Sequence, residues 1–172
     1  MEEQPGITVR RLMDTARQAS LATALAPTTL APTALTRDHS GRPYVSLVLV
    51  AQDEGGSPVL LLSDLAEHSR NLKAEPRAAL LYDGTAGLAD PLTGPRASIL
   101  GRIEPIAASE PVSRLKARFL ARHPAAASYA DFADFRLYRM TVERAHLIAG
   151  FGRIQWLTAA DVIAAPDPTA QG

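Results

Sequence analysis

The sequence predicts a mainly β (α+β) fold: an antiparallel barrel, closed or nearly closed, with helices at its periphery. Three observations lead there. Six or so strand-length runs follow one another through hairpins or short helices, which favours a barrel over a layered sheet. One of them, Phe135 to Ile148, alternates over a long span, as an antiparallel strand with one buried face does. The strand-to-helix turn at Ser63-Asp64-Leu65-Ala66-Glu67-His68 has no glycine, whereas a doubly wound nucleotide fold requires a glycine-rich turn there.

The bulk properties narrow the function classes. At 172 residues the chain has the length of one domain, and such a domain buries about 70% of its unfolded surface without a disulfide or metal staple. We read residues 1–165 as that domain and 166–172 as a disordered tail. Lys and Arg number 18 and Asp and Glu 18, so no net positive charge marks a nucleic-acid partner. The absence of cysteine excludes disulfides, thiolate metal sites and cysteine nucleophiles. No run approaches eighteen apolar residues, and no basic segment leads into an apolar one at the start. A cytoplasmic protein with no membrane partner is therefore expected.

Taken in order, Ile7 to Gln18 places Val9, Leu12, Met13 and Ala16 on one face of an amphipathic helix. Ser20 to Leu25 fits a strand, and Thr28 to Leu35 is ambiguous between loop and ragged strand. Pro43 to Ala51 is a β-rich run, reversed by Glu54-Gly55-Gly56-Ser57 into Pro58 to Leu62. Asp64 and Glu67 have capping-box spacing and predict a short helix from Asp64 to Glu75, stopped by Pro76. Ala78 to Leu81 is the next strand, and a long loop runs on to Gly94. Arg96 to Ile106 is a strand with Gly101 as a bulge or a point of close approach. Ser109-Glu110-Pro111 opens a helix to His123, and Pro124 begins a short helical piece. After Phe135 to Ile148, Gly150 to Arg153 is a turn, Trp156 lies just beyond it, and Thr158 caps a small helix.

Few residues group as catalytic sites do. His39, His68, His123 and His146 share no metal-ligand spacing, and no G-x-S-x-G nucleophile elbow occurs, so neither a metal site nor a catalytic residue is named. Asp131 and Asp134, at i and i+3, read more readily as solvated or capping carboxylates than as a catalytic pair. Trp156 could cover a planar ligand or pack the chain end against the barrel. The strongest candidate is Pro58 to Tyr82, read as strand, tight loop, short helix, strand. Free N–H groups at a helix start, with hydroxyl, amide and cationic side chains nearby, suit a phosphate. On that helix Leu65, Ser69 and Leu72 project to one side with His68 beside them, and Arg70 points nearly opposite. His68 and Ser69 are the better ligand candidates on this geometry.

The succession GRPYVSLVLVA, PVLLLSDLAEHSRNLKAEPRAALLY, DPLTGPRASILGRIEPI, HPAAASYADFADFRLYRM and GFGRIQW, from Arg10 to Leu157, resembles the pyridoxamine 5′-phosphate oxidase-related proteins with the FMN-binding split-barrel fold. LSDLAEHSRNL and the late GFG are closest to the haem-utilisation (HugZ-like) branch. The resemblance implies a split-barrel homodimer with FMN at the subunit interface, an FMN-dependent oxidoreductase in which the flavin carries electrons to or from a small molecule. Leu62 and Ser63 would meet the isoalloxazine or ribityl chain, and His68, Ser69 and Asn71 the phosphate. Ser46 would add a hydrogen bond, Arg96 and Arg153 positive charge, and Trp156 a cover. The strand positions that hold Arg and Lys in true pyridoxamine phosphate oxidases are Pro43 and Val48 here, so that reaction is not expected. The alternatives are a haem-binding or haem-degrading protein with His68 or His146 on the iron, and a flavin-binding module without turnover.

Overall fold

The structure is a computed structural model and describes residues 4–27, 39–107, 110 and 112–163. The first helix, α1 (Pro5–Thr15), begins two residues earlier than periodicity suggests, because Pro5 presets the backbone of the first turn. It buries Thr8, Val9, Leu12 and Met13. Next come β1 (Gln18–Ala24), β2 (Pro43–Leu49), β3 (Ala51–Gln52) and β4 (Pro58–Ser63), the last two joined by a hairpin in which Asp53 Oδ1 accepts the Gly55 and Ser57 N–H groups. α2 (Glu67–Ala74) leads into β5 (Arg77–Asp83) and β6 (Arg96–Pro105). α3 (Val112–Arg122) and a 3-10 turn at Pro124–Ser128 precede the long β7 (Phe135–Ile148). β8 (Ile154–Thr158) and α4 (Ala159–Val162) complete the described chain, with Thr158 and Asp161 forming a capping box. The ambiguous stretch at 28–35, residues 109 and 111 of the expected helix start, and the tail at 166–172 lie outside the described residues.

All eight strands join one antiparallel sheet in the order β2, β1, β5, β6, β7, β4, β3, with β8 on β7. The sheet curls until its two ends meet in the chain itself, since only Val50 separates β2 from β3. One edge of β7 is filled by β6. The other is shared, its first third by β4 and its last third by β8. Gly101 sits at the register shift between β6 and β7, where any Cβ would strike the Thr141 carbonyl. Both sequence-level readings of this glycine therefore hold at once.

Inward-facing Leu21, Val50, Leu60, Leu80, Tyr82, Ile99, Ile103, Tyr138 and Met140 fill the barrel, all fully buried. A second apolar cluster forms outside it, where Leu115 and Phe119 of α3 cover Ala51, Val59 and Leu137. The ends of α1 and α3 exchange caps: Arg122 donates to the Asp14 and Ala16 carbonyls, and Arg17 donates to the Arg122 carbonyl. Among the described residues no helix is long and apolar enough to cross a membrane.

Candidate functional site at the split

Among the described residues the barrel is laddered everywhere except between β2 and β4. Among them β2 pairs with β1 alone from Pro43 to Leu49, and β4 reaches the β2–β3 run through just two residues, Ala51 and Gln52. α2 lies across this end, packed on β1 and β6. Two clips, one to β7 and one to the residue before it, hold its entry. Ser63 Oγ donates to Asp134 at 2.5 Å, and Asp64 receives Arg136 at 2.8 Å and Lys73 at 2.9 Å. Those two cations hold the Asp64 carboxyl below its ordinary pKa. With its carboxylate engaged by these two cations, Asp64 does not cap, and the helix starts at Glu67 behind Ala66, which offers no side-chain cap. The expected start at Asp64 is thus corrected by three residues.

The helix residues expected around a phosphate divide sharply. Arg70 points outward, as the geometry predicted, and pairs with Glu67 at 2.6 Å. Ser69 and Leu72 share a face, also as predicted, but that face is the buried one. Ser69 is wholly buried, its hydroxyl beside that of Tyr138, whose pKa is raised chiefly by burial. Asn71 is wholly buried too: its Nδ2 donates to Thr23 Oγ1 at 3.0 Å, and its Oδ1 accepts the Ala26 N–H at 2.8 Å. Both therefore turn away from any ligand at the split. Leu62 also belongs to the core. Leu65, grouped with Ser69 in the sequence reading, precedes the helix and stands 76% exposed.

His68 and Ser46 do meet. The Ser46 Oγ to His68 Nδ1 distance is 3.1 Å, and both side chains are half-buried. Desolvation lowers the His68 pKa, so the ring is neutral near pH 7. Ser46 stands on a strand and His68 in the first turn of α2, so the pair bridges the split from two regular elements.

The remaining candidates lie at the other end of β7. Arg96 donates to the Leu92 and Gly94 carbonyls at 3.0 and 3.1 Å. Arg153 donates to the Ala149 carbonyl and lines a cleft of about 740 Å³ with Thr8, Arg11, Thr93 and Gln155. Trp156, just beyond the turn, stands in β8, a strand the sequence reading missed. Its ring packs on His146 with centroids 4.5 Å apart, and the Arg144 guanidinium lies 4.7 Å from its centre. Ser63 faces Phe135 and Trp156 faces His146, eleven residues along β7, or roughly 35 Å at the usual strand rise. Within one chain the two groups stay apart. What connects them is a row across the outer face, in which Leu47, Ser20, Leu81, Ser98, His146 and Trp156 are successive cross-strand partners. Leu47 and Trp156, at its ends, are 66% and 54% exposed. Among the described residues no cluster of three or more His, Asp or Glu could hold a metal ion.

Comparison with known proteins agrees with this architecture. The chain is 30% identical over 115 residues to the chloroplastic heme oxygenase HOZ of Arabidopsis thaliana, covering 67% of this chain and 34% of that protein. It thus spans about a third of that relative's length. The solved structure of a heme binding protein from Mycobacterium smegmatis is similar at 28% identity and a TM-score of 0.78, over 92% of this chain and 59% of that one. A general stress protein 26 relative of the pyridoxinephosphate oxidase family, from Clostridium acetobutylicum, shares the fold at 12% identity and a TM-score of 0.64, over 92% of this chain and 97% of its own. The CREG β-barrel family model matches residues 2–163, and the chain belongs to that family.

Proposed function

We propose that this chain is a haem-binding protein that works as a homodimer with its cofactor between the subunits. The observation that carries the choice of haem is the charge and direction of the polar groups at α2. A mononucleotide phosphate needs cations and outward donors, yet Ser69 and Asn71 face inward, Arg70 and Lys73 are already paired, and the acidic Glu67 occupies the first turn. Haem asks for apolar walls and an imidazole instead. Leu47 and Leu65 stand exposed, and His68 is neutral. The names of the Arabidopsis and Mycobacterium relatives support the same reading.

The homodimer rests on the separation of the two residue groups along β7. A second copy placed against the exposed row would bring its Trp156, Arg153 and Arg96 toward the first copy's Ser46, Ser63 and His68. Bound haem supplies an iron centre for electron and dioxygen chemistry. This chain's part is to cover the macrocycle with Leu47, Leu65 and Trp156, to place arginines for its carboxylates, and to keep water from its faces. A second reading, an FMN-dependent oxidoreductase or a flavin module without turnover, draws on the strand–turn–helix at Leu62–Glu67, where the backbone N–H groups opening α2 could meet a phosphate.

Parallel titrations of the purified protein with haem and with FMN decide between them. A saturable Soret band with no flavin binding is the expected result. Tight FMN binding without haem binding would replace the first reading with the second.

A further inference from the structure

We propose that His68 is the iron ligand of this site and that Ser46 is the positioning residue that holds its imidazole for that role. The inference rests on the haem reading and adds to it the atom that meets the metal. A histidine that ligates a metal through one nitrogen almost always has the other fixed by an oxygen, which sets the tautomer and the ring plane. His68 has that arrangement on a bare protein scaffold. Its Nδ1 lies 3.1 Å from Ser46 Oγ, so the hydroxyl can accept the Nδ1–H and leave the Nε2 lone pair free. Among the described residues no side chain or carbonyl hydrogen-bonds Nε2, and that atom is not sealed from solvent.

The other three histidines lack one part or the other. His123 is 4% exposed, with its Nε2 taken by the Val50 carbonyl at 2.8 Å. His146 lies against Trp156, and among the described residues no hydrogen bond orients either of its nitrogens. His39 sits in an exposed turn, likewise without a ring hydrogen bond among the described residues. His68 also has the firmest footing, a helix whose entry is clipped to β7 through Asp64 and to the residue before it through Ser63. Leu65, exposed three residues earlier, supplies an apolar side chain next to it for the macrocycle.

The test compares the full chain with its His68→Ala, His146→Ala and Ser46→Ala variants, each titrated with haem and with iron-free protoporphyrin IX. Absorbance and electron paramagnetic resonance report the iron's ligand, and fluorescence reports protoporphyrin. The expected result is that His68→Ala loses the histidine-ligated spectrum, that free imidazole restores it, and that protoporphyrin binding is unchanged. Ser46→Ala should keep the ligand but bind haem about tenfold more weakly, in the range usual for loss of such a support. His146→Ala should keep the histidine-ligated spectrum. An unaltered haem spectrum in His68→Ala, or a loss confined to His146→Ala, overturns the proposal while the haem reading stands. Equal weakening of haem and protoporphyrin in His68→Ala also overturns it, by showing that His68 serves only as a wall. A parent protein with no saturable haem binding overturns both.

Discussion

Both ends of the Asn71 amide are engaged inside the barrel mouth, by Thr23 and by the Ala26 N–H. Replacing it with alanine leaves a buried hydroxyl and a backbone N–H without their partner, a loss of about 1–3 kcal/mol. Asn71→Ala should therefore lower the urea midpoint clearly. Arg70→Ala, one residue earlier on the exposed face, should change stability by less than about 1 kcal/mol, as exposed ion pairs do. The contrast reads out which way the helix faces. Periodicity had placed Ser69 with Leu72 and opposed them to Arg70, and that grouping is right. It could not say which side was the interior, because serine and asparagine suit a ligand edge and a hydrogen-bonded core equally well. The missing information was long-range: Asn71 is buried because Thr23, forty-eight residues away, gives it a partner.

Between elements, the joint from α2 to β5 depends on Glu75. Its carboxylate accepts the Arg77 backbone N–H at 3.0 Å and two guanidinium donors at 2.9 and 2.6 Å. These bonds, those to the Arg77 side chain foremost, hold its pKa down to about 2 from an ordinary 4.5. A carboxyl depressed in the folded state stabilises fully above its unfolded pKa and loses that contribution as pH falls toward the folded one. Glu75→Gln should thus melt below the parent at pH 7, and the gap should close as pH drops from 4.5 to about 2. Melting curves of both proteins across that window check it. Elements were legible where one face is buried: the spans of β4, β6 and β7 and the Thr158 cap agree closely with the sequence reading. β8 escaped because four of its five residues are exposed, so no alternation announces a strand. The start of α2 was misplaced because Asp64 pairs with Arg136 of β7 and with Lys73 in the last turn of α2 instead of capping the helix.

At the scale of the whole molecule, the outer face carries exposed Val45 and Leu47 on β2, Leu81 on β5, and Ile154 and Trp156 on β8. If two copies meet there, a charge on β2 prevents it. Leu47→Glu should convert a dimer to a monomer by light scattering while leaving the fold intact, since the side chain is already two-thirds exposed. A parent protein that is monomeric at micromolar concentration would remove the shared-site model. The barrel itself was readable from strand count and hairpins. The split was legible only through the family resemblance, because it is a place where two strands fail to pair, and neither periodicity nor turn residues encode a missing ladder.

β7 alone pairs with three other strands, β4, β6 and β8, and Val59 of β4 meets Arg139 across eighty positions of chain. During synthesis, everything up to α3 emerges with the unpaired edges of β4 and β6 both waiting for a strand not yet made. Folding to the native barrel is therefore gated by the arrival of residues 135–148, and this late closure is a slow, non-local step. The interval before it is when the chain is most prone to pair its open edges with another molecule.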